Sequence, residues 1–270
     1  MVTALPRATL SFNTEARSFP SSIMGVNYQV FTWLPFSYPE INRKYPVIYL
    51  LDGESFFGLV SGIVNGLVWD HFMPDCLVVG VGHDISSSEE WWQARAVDLN
   101  PPENPNVPEP EWMQPYKNRR APDFLRFFKK ELIPFIESTY PTDPTDRCLA
   151  GYSWGGQFTL YSLFHEPNLF QRYLIGSGIW EHNLHDYLTY EKQLAQQQKS
   201  LPVRAFFSVG SLEDDQEPYF HQFIEVLKHR NYDDFFLETL VLEGEKHGSG
   251  IAVAYIQGLR ALYSSNKKQT

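Results

Sequence analysis

Seven apolar runs of strand length alternate with helix-length amphipathic segments, and this alternation limits the fold more than any other feature. The runs are VNYQVFTWLP (26–35), PVIYLL (46–51), CLVVGVG (76–82), RCLAG (147–151), RYLIGS (172–177), VRAFFSVG (203–210) and FLETLVL (236–242). Several are apolar at consecutive positions, as expected of strands covered by helices on both faces of a parallel sheet. Among the intervening segments, 123–138 places Phe124, Phe127, Phe128, Leu132, Phe135 and Ile136 at helical spacing, with Pro134 expected to bend it. The segments 221–230 and 251–263 read as further helices. Strand–helix–strand repetition with right-handed crossovers predicts an α/β fold with a mostly parallel central sheet. The first two runs, joined by a Pro/Asn-containing turn, read as an antiparallel start to it. With no internal repeat or linker, residues 1–270 are expected to form one domain.

Composition removes whole classes of function. Hydrophobic residues at 43% and charged residues at 20% are those of a globular chain, which excludes disorder. A net charge of −10 argues against nucleic acid or an anionic membrane as partner, since both require clustered positive charge. The opening MVTALPRATLSFNTEARSF has no apolar stretch suited to a signal peptide, and no 18-residue apolar run occurs, so a cytoplasmic protein is expected. Cys76 and Cys148 each lie in a strand run and read as reduced packing residues. No metal site or cofactor is expected.

Gly151-Tyr152-Ser153-Trp154-Gly155 matches G-x-S-x-G. A chain of this length contains the pattern by chance roughly one time in ten, so the context decides. A strand precedes it and a helical segment follows it, which is the setting of a nucleophile elbow. There the serine takes a strained backbone conformation and the glycines allow strand and helix to approach. A serine needs a base to take its proton and an acid to orient that base, in the chain order Ser, acid, His on this fold. The acid is expected after VRAFFSVG, where Glu213, Asp214 and Asp215 stand; the histidine is expected after FLETLVL, where His247 stands. His83 precedes the serine, and His165, His71, His182, His185, His221 and His229 lie in helix-like or loop segments. For the oxyanion, the expected donors are the backbone N–H of Trp154 and one from the Leu51-Asp52-Gly53-Glu54 loop.

Residues 98–122 carry Pro101, Pro102, Pro105, Pro108, Pro110, Pro115 and Pro122, which exclude a regular helix or a central strand. A loop this long in a compact domain points to function, and this one is expected near the active-site cleft. Arg95, Arg119 and Arg120 in or beside it are candidates for pairing with an anionic or catecholate-like substrate. Trp112 and Tyr116, with Trp91, Trp92 and Trp154, are candidates for an aromatic wall.

The segments YPVIYLLDGESFF, RAVDLNP, FLRFFKKELIPFIESTY, DRCLAGYSWGGQFTLYSLFHEPNLFQRYLIGSGIW, FFSVGSLEDD and EGEKHGSG together resemble the putative esterase family of α/β-hydrolases. Esterase D-type enzymes, enterochelin esterases and mycolyltransferases belong to that family, and this chain is most similar to the enterochelin-esterase-like serine hydrolases. The resemblance implies Ser153 as nucleophile, His247 as base, Glu213 as acid with Asp214 as its alternative, and the N–H of Glu54 as second oxyanion donor. It implies hydrolysis of a small-molecule carboxylic ester, such as a siderophore-like lactone or aryl ester, without a cofactor. The chain departs from the family pattern at KNRRAP (117–122) and in the proline-rich loop. Two alternatives share this sequence: an acyltransferase using the same triad, and a non-catalytic binding protein of hydrolase fold.

Overall fold

The computed structural model describes residues 12–264. One eight-stranded sheet runs through them, from β1 (Thr14–Pro20), β2 (Asn27–Trp33), β3 (Tyr45–Leu51), β4 (Leu77–His83), β5 (Thr142–Tyr152), β6 (Arg172–Gly176) and β7 (Arg204–Gly210) to β8 (Phe236–Leu242). Its order is β1-β2-β4-β3-β5-β6-β7-β8. From β4 to β8 every neighbouring pair is parallel, while β2 is antiparallel to both β1 and β4. The sheet is that of an α/β-hydrolase, as the sequence predicts. The pairing of its first strands differs from expectation: β2 and β3 do not form a hairpin, because β4 lies between them.

β1 was not among the sequence-derived runs. Its sequence TEARSFP sits at the sheet edge with most side chains exposed or half-buried, so it lacks the apolar repeat that marks the central strands. Central strands divide their side chains between two cores. Ile48 and Leu50 of β3 face one side, whereas Val47, Tyr49 and Leu51 face the other. The first side is covered by α1 (Gly53–Trp69) and, at the far end of the chain, the helix Gly250–Tyr263. The second is covered by α2 (Ser88–Leu99), α3 (Ala121–Phe127), α4 (Ile133–Thr139), α5 (Trp154–His165), α6 (Glu181–Gln197) and α7 (Glu217–Arg230). The terminal helix Gly250–Tyr263 is therefore α8. Cys76 and Cys148 are both free thiols buried in the core against α1 and α8. No helix among the described residues is long and apolar enough to cross a membrane.

The helix predicted over 123–138 is continuous in space but passes through a π-turn at Phe128–Leu132 between α3 and α4. Pro134 supplies the reason: it has no N–H for the carbonyl one turn earlier, and its ring crowds that carbonyl, so the turn before it widens. This helix delivers Phe124, Phe127 and Phe128 to a buried aromatic cluster with Tyr28 and Phe158, at ring-centroid distances of 4.6 to 5.9 Å.

Phe124 packs against four of these rings and is almost fully buried. Phe124→Ala is expected to cost about 3–5 kcal/mol through the cavity it leaves. Urea unfolding followed by circular dichroism checks this; a loss below 1 kcal/mol would mean that the cluster closes over the gap.

Candidate active site

The residues that gather at the candidate site leave the carboxyl edge of the sheet. Asp52 follows β3, His83 ends β4, Ser153 follows β5, Ser177 follows β6, Glu213 follows β7 and His247 follows β8. In open parallel sheets this edge is where loops converge and ligands bind.

Ser153 sits between β5 and α5 with φ 61° and ψ −127°, a conformation that few non-glycine residues adopt. Its N–H donates to the Gly176 carbonyl and its own carbonyl accepts from Gln157 N–H, so both sides of the strained residue are fixed. Gly151 makes the turn possible: a Cβ there would lie 2.2 Å from the Gly155 carbonyl oxygen. The Trp154 N–H belongs to the first turn of α5 and the Glu54 N–H to the first turn of α1, where helix geometry leaves N–H groups without an intrahelical acceptor.

His247 lies across from this turn, its ring 5.3 Å from that of Tyr152 and 6.2 Å from that of Trp180. Its Nδ1 is 2.6 Å from Glu213 Oε2, so Nε2 is the nitrogen that remains for chemistry. Glu213 is 3% exposed and accepts three further hydrogen bonds, from Gly210 N–H (2.8 Å), Ser177 Oγ (2.7 Å) and Gln216 Nε2 (2.6 Å). Burial alone would raise its pKa, but the bonds from His247, Gly210 and Ser177 outweigh burial and hold the carboxyl below its ordinary range. Asp214 and Asp215 are exposed and neither bonds to His247. Of the three acids, geometry joins only Glu213 to the histidine. Ser177 (φ 42°) and Gln216 escaped the sequence reading, since nothing local marks a serine after β6 or a glutamine in a turn as partners of a distant carboxylate.

Arg95 lies inside the protein, 2% exposed. Its guanidinium is buried and bonded to Asp52 twice, Nε to Oδ1 at 2.6 Å and Nη2 to Oδ2 at 2.9 Å. It also packs on the rings of Trp91 (4.3 Å), Trp92 (5.5 Å) and Trp154 (5.3 Å). Arg119 is likewise engaged within the proline-rich loop, pairing with Glu109 and donating to the Tyr116 carbonyl. Arg120 binds Asp123 and the carbonyls of Ile23 and Met24. All three arginines are therefore engaged by partners within the protein.

The aromatic expectation fares differently. α2 extends to Leu99 and α3 begins at Ala121, so the loop is shorter than the proline pattern suggests, and a short 3₁₀ turn at Glu111–Met113 anchors it through buried Met113. Trp112 stacks on Trp154 (6.2 Å) and meets His182 edge-on (5.4 Å), while Tyr116 lies 5.6 Å from Trp154. A cavity of about 630 Å3 opens beside them, lined by loop residues including Trp112 together with Trp180, His182 and Asp215. Burial and the nearby Arg119 push the His182 imidazole down to about 4, so it is neutral at pH 7.

A second buried array lies behind the Glu54 loop. His83 Nε2 is 3.0 Å from Asp98 Oδ2, which also accepts from Tyr28 O–H at 2.6 Å, and His83 Nδ1 is 3.6 Å from Glu54 Oε1. Burial pulls the His83 pKa down, but Asp98 and Glu54 more than reverse this and push it up to about 9.

A sequence model of the family described as "Putative esterase" matches residues 21–232. Ferri-bacillibactin esterase BesA of Bacillus subtilis is 28% identical over 267 residues, covering 92% of this chain and 88% of its own. The crystal structure of BES protein from Bacillus cereus superposes with a TM-score of 0.81 at 30% identity, covering 97% of this chain and all of that one. Siderophore hydrolase EstA from Aspergillus nidulans shares the fold, with a TM-score of 0.81 at 22% identity over 96% of this chain and 97% of its own.

Two outcomes are expected from this geometry. Arg95→Met leaves Asp52 as a buried unpaired charge and should destabilise the protein by about 3–5 kcal/mol; a denaturation midpoint equal to wild type would show the pair to be dispensable. Because the folded pKa of His83 lies above its ordinary 6.5, its contribution to stability is full below 6.5 and lost as pH rises through about 9. The Tm of wild type should therefore fall between pH 7 and pH 10 by more than that of His83→Gln.

Proposed function

The chain belongs to the putative esterase family and is a carboxylic-ester hydrolase, and from that premise we propose that it works through an acyl-enzyme on Ser153. The observation that carries this reading is the strained Ser153 turn on the same sheet edge as the 2.6 Å His247–Glu213 bond. In this reading His247 Nε2 takes the Ser153 proton as Oγ attacks the ester carbonyl. Glu213, held below its ordinary pKa, keeps the imidazole in the tautomer with its proton on Nδ1 and stabilises the imidazolium as it forms. The oxyanion receives the N–H groups of Trp154 and Glu54. Collapse breaks the bond to the alcohol oxygen, which leaves with the proton from His247. Water, deprotonated by the same nitrogen, then releases the acid and restores the serine.

For the substrate we propose a siderophore-like lactone or aryl ester. The names of the ferri-bacillibactin esterase and the siderophore hydrolase described above support it, as do the aromatic rings of Trp112 and Trp180 that line the cavity. Those names also favour water over an alcohol as the acceptor, and hydrolysis over acyl transfer.

A burst experiment with short- and medium-chain p-nitrophenyl esters, followed by intact mass, tests the nucleophile. Wild type should gain the mass of the acyl group, while Ser153→Ala should gain none and lose on the order of 10⁶-fold in kcat. An adduct persisting in the variant would move the nucleophile elsewhere. Glu213→Gln should lower kcat by about 10²–10⁴-fold, and Asp214→Asn should change it less than about threefold; equal losses would remove Glu213 from the triad.

A further inference from the structure

Glu54 presents an electrostatic contradiction. Its N–H is the proposed oxyanion donor, yet its own side chain places a carboxylate within the same residue. Gly82 allows the close packing, because a Cβ there would lie 2.3 Å from Glu54 Oε2 and 2.8 Å from Glu54 N. A fixed negative charge so near a developing oxyanion opposes the transition state more than the ground state, whose carbonyl oxygen carries no full charge.

The surroundings of the carboxylate answer the contradiction. Trp91 Nε1–H donates to Oε1 at 2.6 Å and the His83 N–H donates to Oε2 at 3.2 Å. The His83 ring stands between two acids, with Nδ1 3.6 Å from Glu54 and Nε2 3.0 Å from Asp98. We propose that His83 is a positioning residue for ester cleavage, which in its protonated form compensates the Glu54 carboxylate beside the oxyanion donor and fixes the loop that carries it. The inference rests on the reading of Ser153 and the Glu54 N–H given above.

Charged and titratable groups reach His83 from every side. α1 presents Glu54, α2 presents Asp98, and β2 presents Tyr28, whose hydroxyl donates to Asp98. A groove of about 660 Å3 over the ring is also lined by Asp84, Glu89, Glu90 and Arg120. Arg120 turns its guanidinium to Asp123 and two carbonyls, whereas His83 contacts both the half-buried Glu54 and the buried Asp98. With its pKa raised to about 9, His83 is charged at neutral pH and loses that charge in mildly alkaline solution.

The test is the acylation rate from p-nitrophenyl ester bursts between pH 6 and pH 10.5, with Ser153→Ala subtracted as blank and circular dichroism confirming the fold at each pH. Wild type should slow by about tenfold or more as pH rises through 9, the scale of one uncompensated charge near the oxyanion. Glu54→Gln should flatten that fall. His83→Gln should be slower than wild type by about 10- to 100-fold at pH 7, and the double variant Glu54→Gln/His83→Gln should recover most of the loss. A purely structural histidine would not be rescued by neutralising Glu54. An alkaline fall of equal size in wild type and Glu54→Gln overturns the proposal, as does a double variant no faster than His83→Gln. If His83→Gln does not fold, the comparison of wild type with Glu54→Gln decides alone. If wild type forms no acyl adduct at any pH, the functional reading itself fails, and the mass spectrum shows this before any profile is compared.

Discussion

The buried pair of Arg95 and Asp52 joins three parts of the molecule that are far apart in the chain. Asp52 follows β3 in a left-handed conformation and caps the start of α1; Arg95 comes from α2; the guanidinium then lies against Trp154, the first residue of α5. Both loops expected to supply oxyanion donors therefore depend on one ion pair. Taking two charges out of water costs several kcal/mol each, and only the two-point hydrogen bonding recovers it. A hydrophobic pair could fill the space, but it would not fix the angle between α1 and α2 as two parallel hydrogen bonds do.

The acid–histidine side is built on a different plan. Glu213 receives hydrogen bonds from the Gly210 N–H and from the side chains of Ser177 and Gln216 as well as from His247, so its orientation is over-determined. Ser177, with its positive φ, holds one of the carboxylate oxygens, and the backbone of Gly210 supports the same oxygen. Strain at Ser153 and Ser177 is confined to the sheet edge, where the surrounding hydrogen bonds can sustain it.

How far this was legible in the sequence follows the range of the interactions. The elbow around Ser153 is local: a strand, five residues and a helix, so its pattern could be read directly. His247 and the acidic turn followed from chain order after β7 and β8. The choice of Glu213 over Asp214 needed the resemblance, because three consecutive acids in a turn look alike until burial separates them. The Arg95–Asp52 pair was not legible because the partners are 43 residues apart, and no periodicity reports such a contact. The same holds for His83, whose partners Glu54, Asp98 and Tyr28 come from three elements. β1 was invisible because an edge strand need not be apolar, and the π-turn before Pro134 was anticipated only as a bend.

The proline-rich loop is held in place by its own contacts. Met113 is buried, Trp112 rests on Trp154, Asn104 bonds Asp186 at 2.6 Å, and the loop's own ion pairs close it on itself. Proline has further reduced the number of conformations that the unfolded segment can visit. Whatever enters the cavity beside Trp112 thus meets a wall that need not be ordered on arrival. The usual entropic penalty of closing a long loop over a ligand has been met during folding instead. Discrimination at such a rim falls on shape at first encounter, and a guest that does not fit is turned away without the protein rearranging around it.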